Sequence, residues 1–191
     1  MVKTVILAAT LAWAVFAAAP AHAVAVVGAT DVRITNALGI YLQVAEVVAS
    51  QLGTGKDVTL AANGGMATAN NQYSAISGPG NAIDGNTGGN YFADHIYHSL
   101  DSSGILNLTF APTTLGSLTI YGRTDCCTYR DLYNVSIYNA AGTTLYSGQL
   151  DATTTNPATI AFSAAVPEPG TVALMLGGLG LAAFGLRRPA A

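Results

Sequence analysis

Leu106-Asn-Leu-Thr-Phe110 alternates apolar and polar residues, and strict alternation is the pattern of a half-buried β-strand. Two runs downstream, residues 118–121 and 133–138, are rich in the β-branched, aromatic and aliphatic residues that suit strands. Clusters of Gly, Asn, Asp and Ser separate such runs. Short runs punctuated in this way are typical of an antiparallel β-sandwich or barrel. We therefore predict an all-β fold.

The same criteria predict eight strands and one long irregular segment. The predicted strands cover residues 32–36, 41–49, 58–61, 104–110, 117–121, 134–139, 144–147 and 158–162. Few stretches have the period of a helix. Residues 63–101 are rich in Gly and Asn and lack a regular pattern. A segment of that length inside a compact domain is usually functional or tied down by something.

The loop that follows the strand at 117–121 concentrates the charged and reactive side chains. It reads Gly-Arg-Thr-Asp-Cys-Cys-Thr-Tyr-Arg over residues 122–130, and we call it the arginine loop. Two of the four permanent cations in residues 24–165 lie there, as do both cysteines of the chain. The same residues carry nine Asp and Glu, so no basic patch exists for nucleic acid or acidic lipid. Because functional side chains concentrate on loops held by a rigid scaffold, we expect the arginine loop to carry the function.

The first 23 residues have the organisation of a secretory signal peptide. Lys3 supplies the positive start, residues 4–18 are apolar, and Ala21-His-Ala23 has the small-x-small pattern of a cleavage site. The alternative is an N-terminal membrane anchor, which the short apolar run and Pro20 disfavour. Secretion would place the cysteines in an oxidising compartment.

The last 26 residues show a different order of parts. Val166-Pro-Glu-Pro169 precedes an apolar run at 171–186, which ends in Arg187-Arg188. As a helix this run would span about 24 Å, short for a bilayer core, and the arginines would hold its end in the cytoplasm. The order of these elements resembles the PEP-CTERM sorting signal of Gram-negative bacteria.

That resemblance implies a tail that anchors the protein transiently in the inner membrane. An exosortase would then remove the tail and release the protein to the cell surface or to an extracellular polysaccharide matrix. The alternative is a permanent single-pass anchor. We therefore predict three parts: a signal peptide at 1–23, a β-domain at 24–165, and a sorting signal with an apolar helix at 166–191.

Three stretches of the β-domain resemble a known family. They are Asn81-Ala-Ile-Asp-Gly-Asn86, Tyr97-His-Ser99, and the arginine loop with Arg123-x-Asp125-x4-Arg130. Together they look like the discoidin-type, galactose-binding-like domain, and more narrowly its fucose-binding F-type lectin branch. The resemblance implies a discoidin-like antiparallel β-sandwich of the jelly-roll type that binds a sugar.

Two departures from that family are visible in the sequence. The segment 32–47 resembles the family's closing segment but stands first here, which suggests a circular permutation. Such a permutation is physically reasonable because domain termini often lie close together at the surface. The strand before the arginine loop also lacks the family's Trp pair, and Ile105 and Leu106 stand in its place.

The resemblance assigns sugar binding to Arg123, Arg130 and a histidine. Arginine offers planar, fixed donors to adjacent hydroxyls, and a neutral imidazole can donate or accept. Two histidines compete: spacing from Asn86 favours His98 over His95. Asp125 would orient an arginine. The alternative for the loop is a surface Arg–Asp ion pair, which would contribute little to stability.

Adjacent cysteines at 126 and 127 admit several states. Cys126 and Cys127 could form a vicinal disulfide whose rigid, apolar edge supports the C–H face of a sugar. They could also be two free thiols, or pair between chains. A zinc site and a thiol oxidoreductase are disfavoured because the ligand spacing and the Cys-x-x-Cys motif are both absent.

The resemblance also implies a structural calcium ion held by Asn81, Asp84, Asn86 and Glu46, with backbone oxygens near His95. Calcium binds six to eight hard oxygens, some of them from backbone. The alternative is an Asx-rich turn that satisfies itself with side-chain hydrogen bonds. Glu46 favours the metal, because a lone carboxylate in an apolar strand needs a partner when buried.

No residue pattern indicates a catalytic set, so we expect no enzymatic activity. The predicted function is a secreted, fucolectin-like carbohydrate-binding protein that takes fucose-like or other exopolysaccharide sugars. Its other partner would be the exosortase, with no nucleic acid and with membrane contact only through the tail. The alternative is a structural matrix protein that uses the sandwich as a spacer, and a hydrolase is a more distant third.

Overall fold

The computed structural model describes residues 23–163, which fold mostly into antiparallel β-structure. The strands are β1 Ala23–Val24, β2 Val26–Asn36, β3 Gln43–Val44, β4 Glu46–Gln51, β5 Met66–Ala69, β6 Tyr97–His98, β7 Ile105–Tyr121, β8 Leu132–Asn139, β9 Thr144–Asp151 and β10 Ala158–Ser163. The helical elements are one short α-helix, α1 Tyr91–Asp94, and 3-10 turns at Ala61–Asn63, Pro79–Ile83 and Thr128–Arg130. The predicted all-β class is confirmed at this level, and the architecture is consistent with a sandwich.

Strand β7 is the centre of the sheet. Its first half pairs with β2 on one side and β5 on the other, and its second half pairs with β4 and β10. The order continues from β2 to β8 and from β8 to β9. All of these pairs are antiparallel, whereas β1 joins β10 in parallel. A separate two-stranded ladder joins β3 to β6.

Strand β7 changes direction near its middle. A straight strand of 17 residues would span about 55 Å. Yet Ile105, at the start of β7, pairs with the residue of β2 that directly precedes Asn36. Nδ2 of Asn36 donates a 2.6 Å hydrogen bond to the Arg130 carbonyl of the arginine loop. Tyr121, at its other end, leads into that same loop. The alternation of buried residues is also interrupted around Pro112, so we place the bend there.

The main core lies between the two halves of this bent strand and their partners. Leu106 and Leu108 from the first half and Leu118 and Ile120 from the second half are all fully buried in one cluster. Because the outward residues between them remain partly exposed, each half presents one apolar face to the core. The end of the sandwich that carries the arginine loop is called the loop end below.

The predicted strands differ from the structure in several places, and the one predicted at 41–49 is divided into β3 and β4. The predicted strand at 58–61 is wrong, because the Asp57 carboxylate accepts hydrogen bonds from the backbone N–H groups of Ala49 and Thr59 and forms a local turn there. Strand β5 was not predicted, since Met-Ala-Thr-Ala is short and carries one β-branched residue. The strand predicted at 32–36 begins earlier, at Val26.

Both predicted targeting segments fall outside the described residues, apart from Ala23, which opens β1. The predicted signal peptide otherwise occupies residues 1–22, and the predicted sorting tail begins at 166. Between residues 23 and 163, no helix has both the length and the apolar character needed to cross a membrane.

Candidate functional site

An open cavity of about 340 Å³ lies at the loop end. Its lining consists of aromatic rings and nitrogen-bearing side chains: Tyr41, Tyr73, Tyr91, Phe92, His98, Arg123 and Arg130. These side chains come from the β2–β3 connection, the segment after β5, α1, β6 and the arginine loop. The fold therefore gathers both arginines of the loop and the favoured histidine into one concave surface.

Arg123 is held by a two-pronged ion pair inside the loop. Its Nε donates to Asp125 Oδ1 at 2.7 Å and its Nη2 donates to Oδ2 at 2.8 Å. Asp125 Oδ1 also accepts the backbone N–H of Tyr91 at 3.0 Å. The guanidinium lowers the pKa of Asp125 to about 2. Such a fork fixes the plane of the guanidinium and leaves Nη1 for another partner.

This ion pair differs from an ordinary surface pair in its burial. The Arg123 side chain is 10% exposed and that of Asp125 is 18% exposed. The Arg123 guanidinium also lies 5.0 Å from the ring centroid of Tyr91. Because burial and ring contact both restrict the side chain, Arg123 is pre-oriented before any ligand arrives.

Arg130 is positioned by two tyrosine rings. Its guanidinium carbon lies 5.3 Å from the ring centroids of both Tyr41 and Tyr129. Its Nε donates to the Tyr129 hydroxyl at 3.1 Å. Cation–π contacts of this kind hold the charge near the rings and leave the Nη donors available.

His98 is a buried, neutral imidazole in the cavity wall. Its Nδ1 lies 2.7 Å from the Ser99 carbonyl, and since a carbonyl only accepts, Nδ1 carries the proton. Burial lowers the pKa of His98, and the positive charges of Arg123 and Arg130 lower it further. Nε2 is therefore a hydrogen-bond acceptor. His95, by contrast, is exposed at the end of α1 and does not line the cavity.

The two cysteines occupy the turn of the arginine loop. The structure places the sulfur atoms of Cys126 and Cys127 in bonding contact, in the arrangement of a disulfide between adjacent residues. Cys127 has a left-handed backbone, with φ of 62°, and starts the 3-10 turn that leads to Arg130. Neither cysteine is among the side chains that line the cavity.

Among the residues of the predicted calcium site, Glu46 is the most unusual. Its side chain is 1% exposed, and Oε1 accepts the backbone N–H of Gly85 at 3.2 Å. Oε2 is buried and has no hydrogen-bond partner within residues 23–163. Burial raises the pKa of Glu46 to about 8, and the negative charges of Asp84 and Asp57 raise it as well.

The other predicted ligands make turn hydrogen bonds. Asp84 Oδ1 accepts the Asn86 N–H at 2.8 Å, and Asn86 Oδ1 accepts the Gly88 N–H at 3.0 Å. Asn81 donates from Nδ2 to the Ile76 carbonyl at 2.7 Å. The described residues contain no group of three or more His, Cys, Asp or Glu side chains suited to a metal. The structure thus brings Glu46 to the Asp84–Gly85 turn, while the two asparagines take part in local bonds.

Sequence reasoning missed two groups of residues at this site. The first is the aromatic lining, Tyr41, Tyr73, Tyr91 and Phe92, which surrounds His98 with ring-centroid distances of 5.2 to 5.7 Å for three of the rings. For Tyr73, Tyr91 and Phe92, the signal in the sequence was the presence of large aromatics in the otherwise polar, Gly- and Asn-rich region at 63–101. The second group is a buried polar pair, Gln43 and Asp131, beneath the loop. A lone Gln in the apolar run Leu-Gln-Val was its signal.

Comparison with known proteins adds information about the tail. The family model described as the PEP-CTERM protein-sorting motif matches residues 165–188, close to the predicted bounds of the sorting signal. No curated protein and no solved structure matches the chain. The match indicates a protein that an exosortase processes and that is sorted to the cell envelope or surface of a Gram-negative bacterium.

Proposed function

We propose that residues 24–165 form a non-catalytic, fucolectin-like carbohydrate-binding domain that acts at the cell surface or in the exopolysaccharide matrix. The observation that carries this proposal is the cavity itself, where two pre-oriented arginines and one neutral histidine face three or more aromatic rings. Sugar hydroxyls pair with arginine donors and with the imidazole acceptor, and a sugar C–H face rests on aromatic carbon. The volume suits a small ligand, at the lower end of ordinary binding sites.

The ligand class follows from the chemistry of the lining and from the family resemblance. The lining pairs fixed N–H donors with ring faces, which favours a neutral polyol that also has an apolar side. The resemblance of the arginine loop narrows this to fucose-like sugars, with other exopolysaccharide sugars as the broader class. Sorting to the cell surface would bring the domain to such polymers.

We assign the cysteine pair to the loop rather than to direct ligand contact. Export would favour a vicinal disulfide between Cys126 and Cys127. That bond would stiffen the turn between Asp125 and Arg130, which are the residues that orient and supply the guanidinium groups. The edge of the disulfide could still support a sugar that extends beyond the cavity.

Calcium is the cation that fits the Glu46 region best. A buried carboxylate oxygen without a partner, next to the Asp84 turn, is a hard anionic ligand in need of a positive charge. Asp84, Asn86 and Asn81 would supply further oxygens, together with backbone carbonyls. Bound calcium would neutralise Glu46 and tie β4 to the 78–95 segment that carries α1.

A glycan array on the full-length, oxidised protein tests the function. If detergent is used to keep the apolar tail of the full-length protein in solution, it must carry no sugar head group, since a maltoside or glucoside would compete for the site. We expect binding to fucosylated or related glycans, and loss of that binding in Arg123→Ala and Arg130→Ala. Arg33→Ala is the matched control, because Arg33 lies on the exposed face of β2, outside this cavity.

If the folded wild-type protein binds no glycan on the array, the result would favour the alternative, a structural spacer of the cell surface. Equal binding by the wild type and both cavity variants would show that glycan binds elsewhere. Release of product from any glycoside would instead point to a hydrolase.

A further inference from the structure

We propose that Asp131 and Gln43 are positioning residues that hold the arginine loop in its binding form, and that protonation of Asp131 releases the loop and weakens sugar binding. This inference rests on the proposed function and adds a control mechanism to the same site. Neither residue lines the cavity. Both are fully buried directly beneath the loop.

The Asp131 carboxylate is an acceptor for two separate segments. Oδ2 accepts the backbone N–H of Arg123 at 3.0 Å, and Oδ1 accepts Nε2 of Gln43 at 3.0 Å. Asp131 follows directly on the 3-10 turn that carries Arg130. One carboxylate therefore links the start of the arginine loop, the end of the loop and strand β3. An ionised carboxylate suits this position because it accepts at both oxygens and donates at neither.

Gln43 extends the link to the cysteine turn and to His98. The second N–H of its Nε2 donates to the Cys127 carbonyl at 3.0 Å. Gln43 is also the direct partner of His98 in the β3–β6 ladder. Gln43 thus joins the loop that bears the arginines, through its side chain, to the strand that bears the histidine, through its backbone.

The Asp131 carboxylate is tightly packed against Gly122. A Cβ placed on Gly122 would lie 2.3 Å from Asp131 Oδ2 and 3.0 Å from the Tyr133 hydroxyl. That hydroxyl donates to the Gln43 carbonyl at 2.9 Å. The charged and titratable groups that face Asp131 are Arg123 from the loop and Tyr133 from β8, while β3 contributes only the neutral Gln43. No cationic side chain within residues 23–163 forms an ion pair with Asp131.

Burial makes this carboxylate easy to protonate. It raises the pKa of Asp131 to about 6, although the hydrogen bonds from Gln43 and Arg123 lower it. Above this pH the carboxylate is ionised and accepts both hydrogen bonds. Below it, one oxygen becomes an O–H donor and faces a donor.

Gln43 provides the structural response to that proton. Its Oε1 is buried and lacks a hydrogen-bond partner in the described part of the chain. Rotation of the amide by about 180° exchanges Oε1 and Nε2, which lets Oε1 accept the new Asp131 O–H. The exchange withdraws the donor from the Cys127 carbonyl. The cysteine turn is then released, and Arg130 with it.

The test measures sugar affinity of the full-length protein between pH 4.5 and pH 8, for the wild type and for Asp131→Asn. We expect the sugar affinity of the wild type to fall about tenfold as the pH is lowered through 6, which is the effect of losing one hydrogen bond to a charged group. Asp131→Asn should bind at the weak, low-pH level throughout the range. Asp151→Asn is the control, because it removes an exposed carboxylate at the end of β9 and should keep the wild-type profile.

A second measurement needs no sugar and no variant. The backbone N–H of Arg130 donates to the Cys127 carbonyl at 3.0 Å, so it lies in the turn that is released. Hydrogen exchange of this Arg130 amide, corrected for its intrinsic pH dependence, should accelerate below pH 6 in the wild type. It also separates the two hypotheses, since it tests the release of the loop even when the array shows no glycan binding.

Two results would overturn the inference. One is an Arg130 amide that is equally protected at pH 5 and pH 7.5. The other is an Asp131→Asn protein that keeps the wild-type pH profile, which would assign the pH dependence to His98 instead.

Discussion

At the scale of single residues, the fork between Arg123 and Asp125 decides the geometry of the cavity. We expect Arg123→Lys to reduce sugar affinity about tenfold, because an ammonium cannot form two parallel bonds to a carboxylate. Titration calorimetry with a fucosylated oligosaccharide measures the change. Arg33→Lys is the matched control, and equal affinities for wild type and Arg123→Lys would show that the fork is not needed.

Glu46 gives the second prediction at this scale, through its effect on stability. Its raised pKa means that the folded state holds a proton that the unfolded state releases between about pH 4.5 and pH 8. In the presence of a chelator, the free energy of unfolding should therefore fall as the pH rises through this window. Glu46→Gln should remove that part of the fall, and the comparison is cleanest above pH 6, where Asp131 is already ionised.

Calcium should stabilise the wild-type protein through the Glu46 carboxylate. If calcium binds Glu46, saturating calcium raises the melting temperature of the wild type at pH 7.5 and leaves that of Glu46→Gln nearly unchanged. Differential scanning calorimetry checks both. If calcium does not change the melting temperature of the wild type, the result would support the alternative, in which Asp84 and Asn86 form a turn closed by their own side-chain hydrogen bonds.

The site residues could be predicted where they are neighbours in sequence or where the family resemblance supplies them. Arg123, Asp125 and Arg130 share one loop, and resemblance to a family supplied His98. The aromatic lining could not be predicted, because its members come from three separate segments that only the fold brings together. Gln43 was hidden for the same reason, since its partners lie 84 and 88 residues away.

At the scale of elements, the arginine loop should behave as a unit separate from the core. We expect reduction, or the double substitution Cys126→Ser and Cys127→Ser, to weaken sugar binding more than it lowers the melting temperature. A bond between adjacent residues closes almost no loop, so it removes little entropy from the unfolded chain. A large fall in melting temperature with unchanged affinity would contradict this view.

Gly122 lies where β7 meets the loop, and it tests the packing there. Gly122→Ala should destabilise the protein by about 1–3 kcal/mol, since the new methyl group would overlap the Asp131 carboxylate. Gly80→Ala is the matched control, because a Cβ at Gly80 meets nothing within 4 Å. Urea unfolding of the two variants compares them, and similar midpoints would show that the loop yields easily.

The strands were predictable where alternation is strong and not where side chains compete with the backbone. Residues 104–110 and 117–121 were predicted as two strands, and they are the two halves of β7 on either side of its bend. The stretch at 58–61 has strand-like composition, but the Asp57 carboxylate takes the hydrogen bonds that a ladder would need. Composition reports burial well, whereas such local bonds depend on individual atoms.

At the scale of the whole molecule, the all-β class followed from the sequence because one apolar face repeats along several strands. The bend of β7 did not follow, since nothing in a single strand records where its two ends will meet. The position of the cavity depends on that bend, which brings the end of β2 and the end of β7 to the same loop.

The direction of β10 has a consequence for how the domain is presented at the cell surface. β10 begins beside Ile120, at the loop end, and runs about 17 Å away from it before the described chain stops at Ser163. The sorting motif starts two residues later, at 165. A tether joined to the end of β10 would hold the domain by the end away from the arginine loop, and the cavity would then face outward. Glycan capture would then need no prior cleavage of the tail, and the same geometry would serve a precursor still held at the envelope and a protein already released from it.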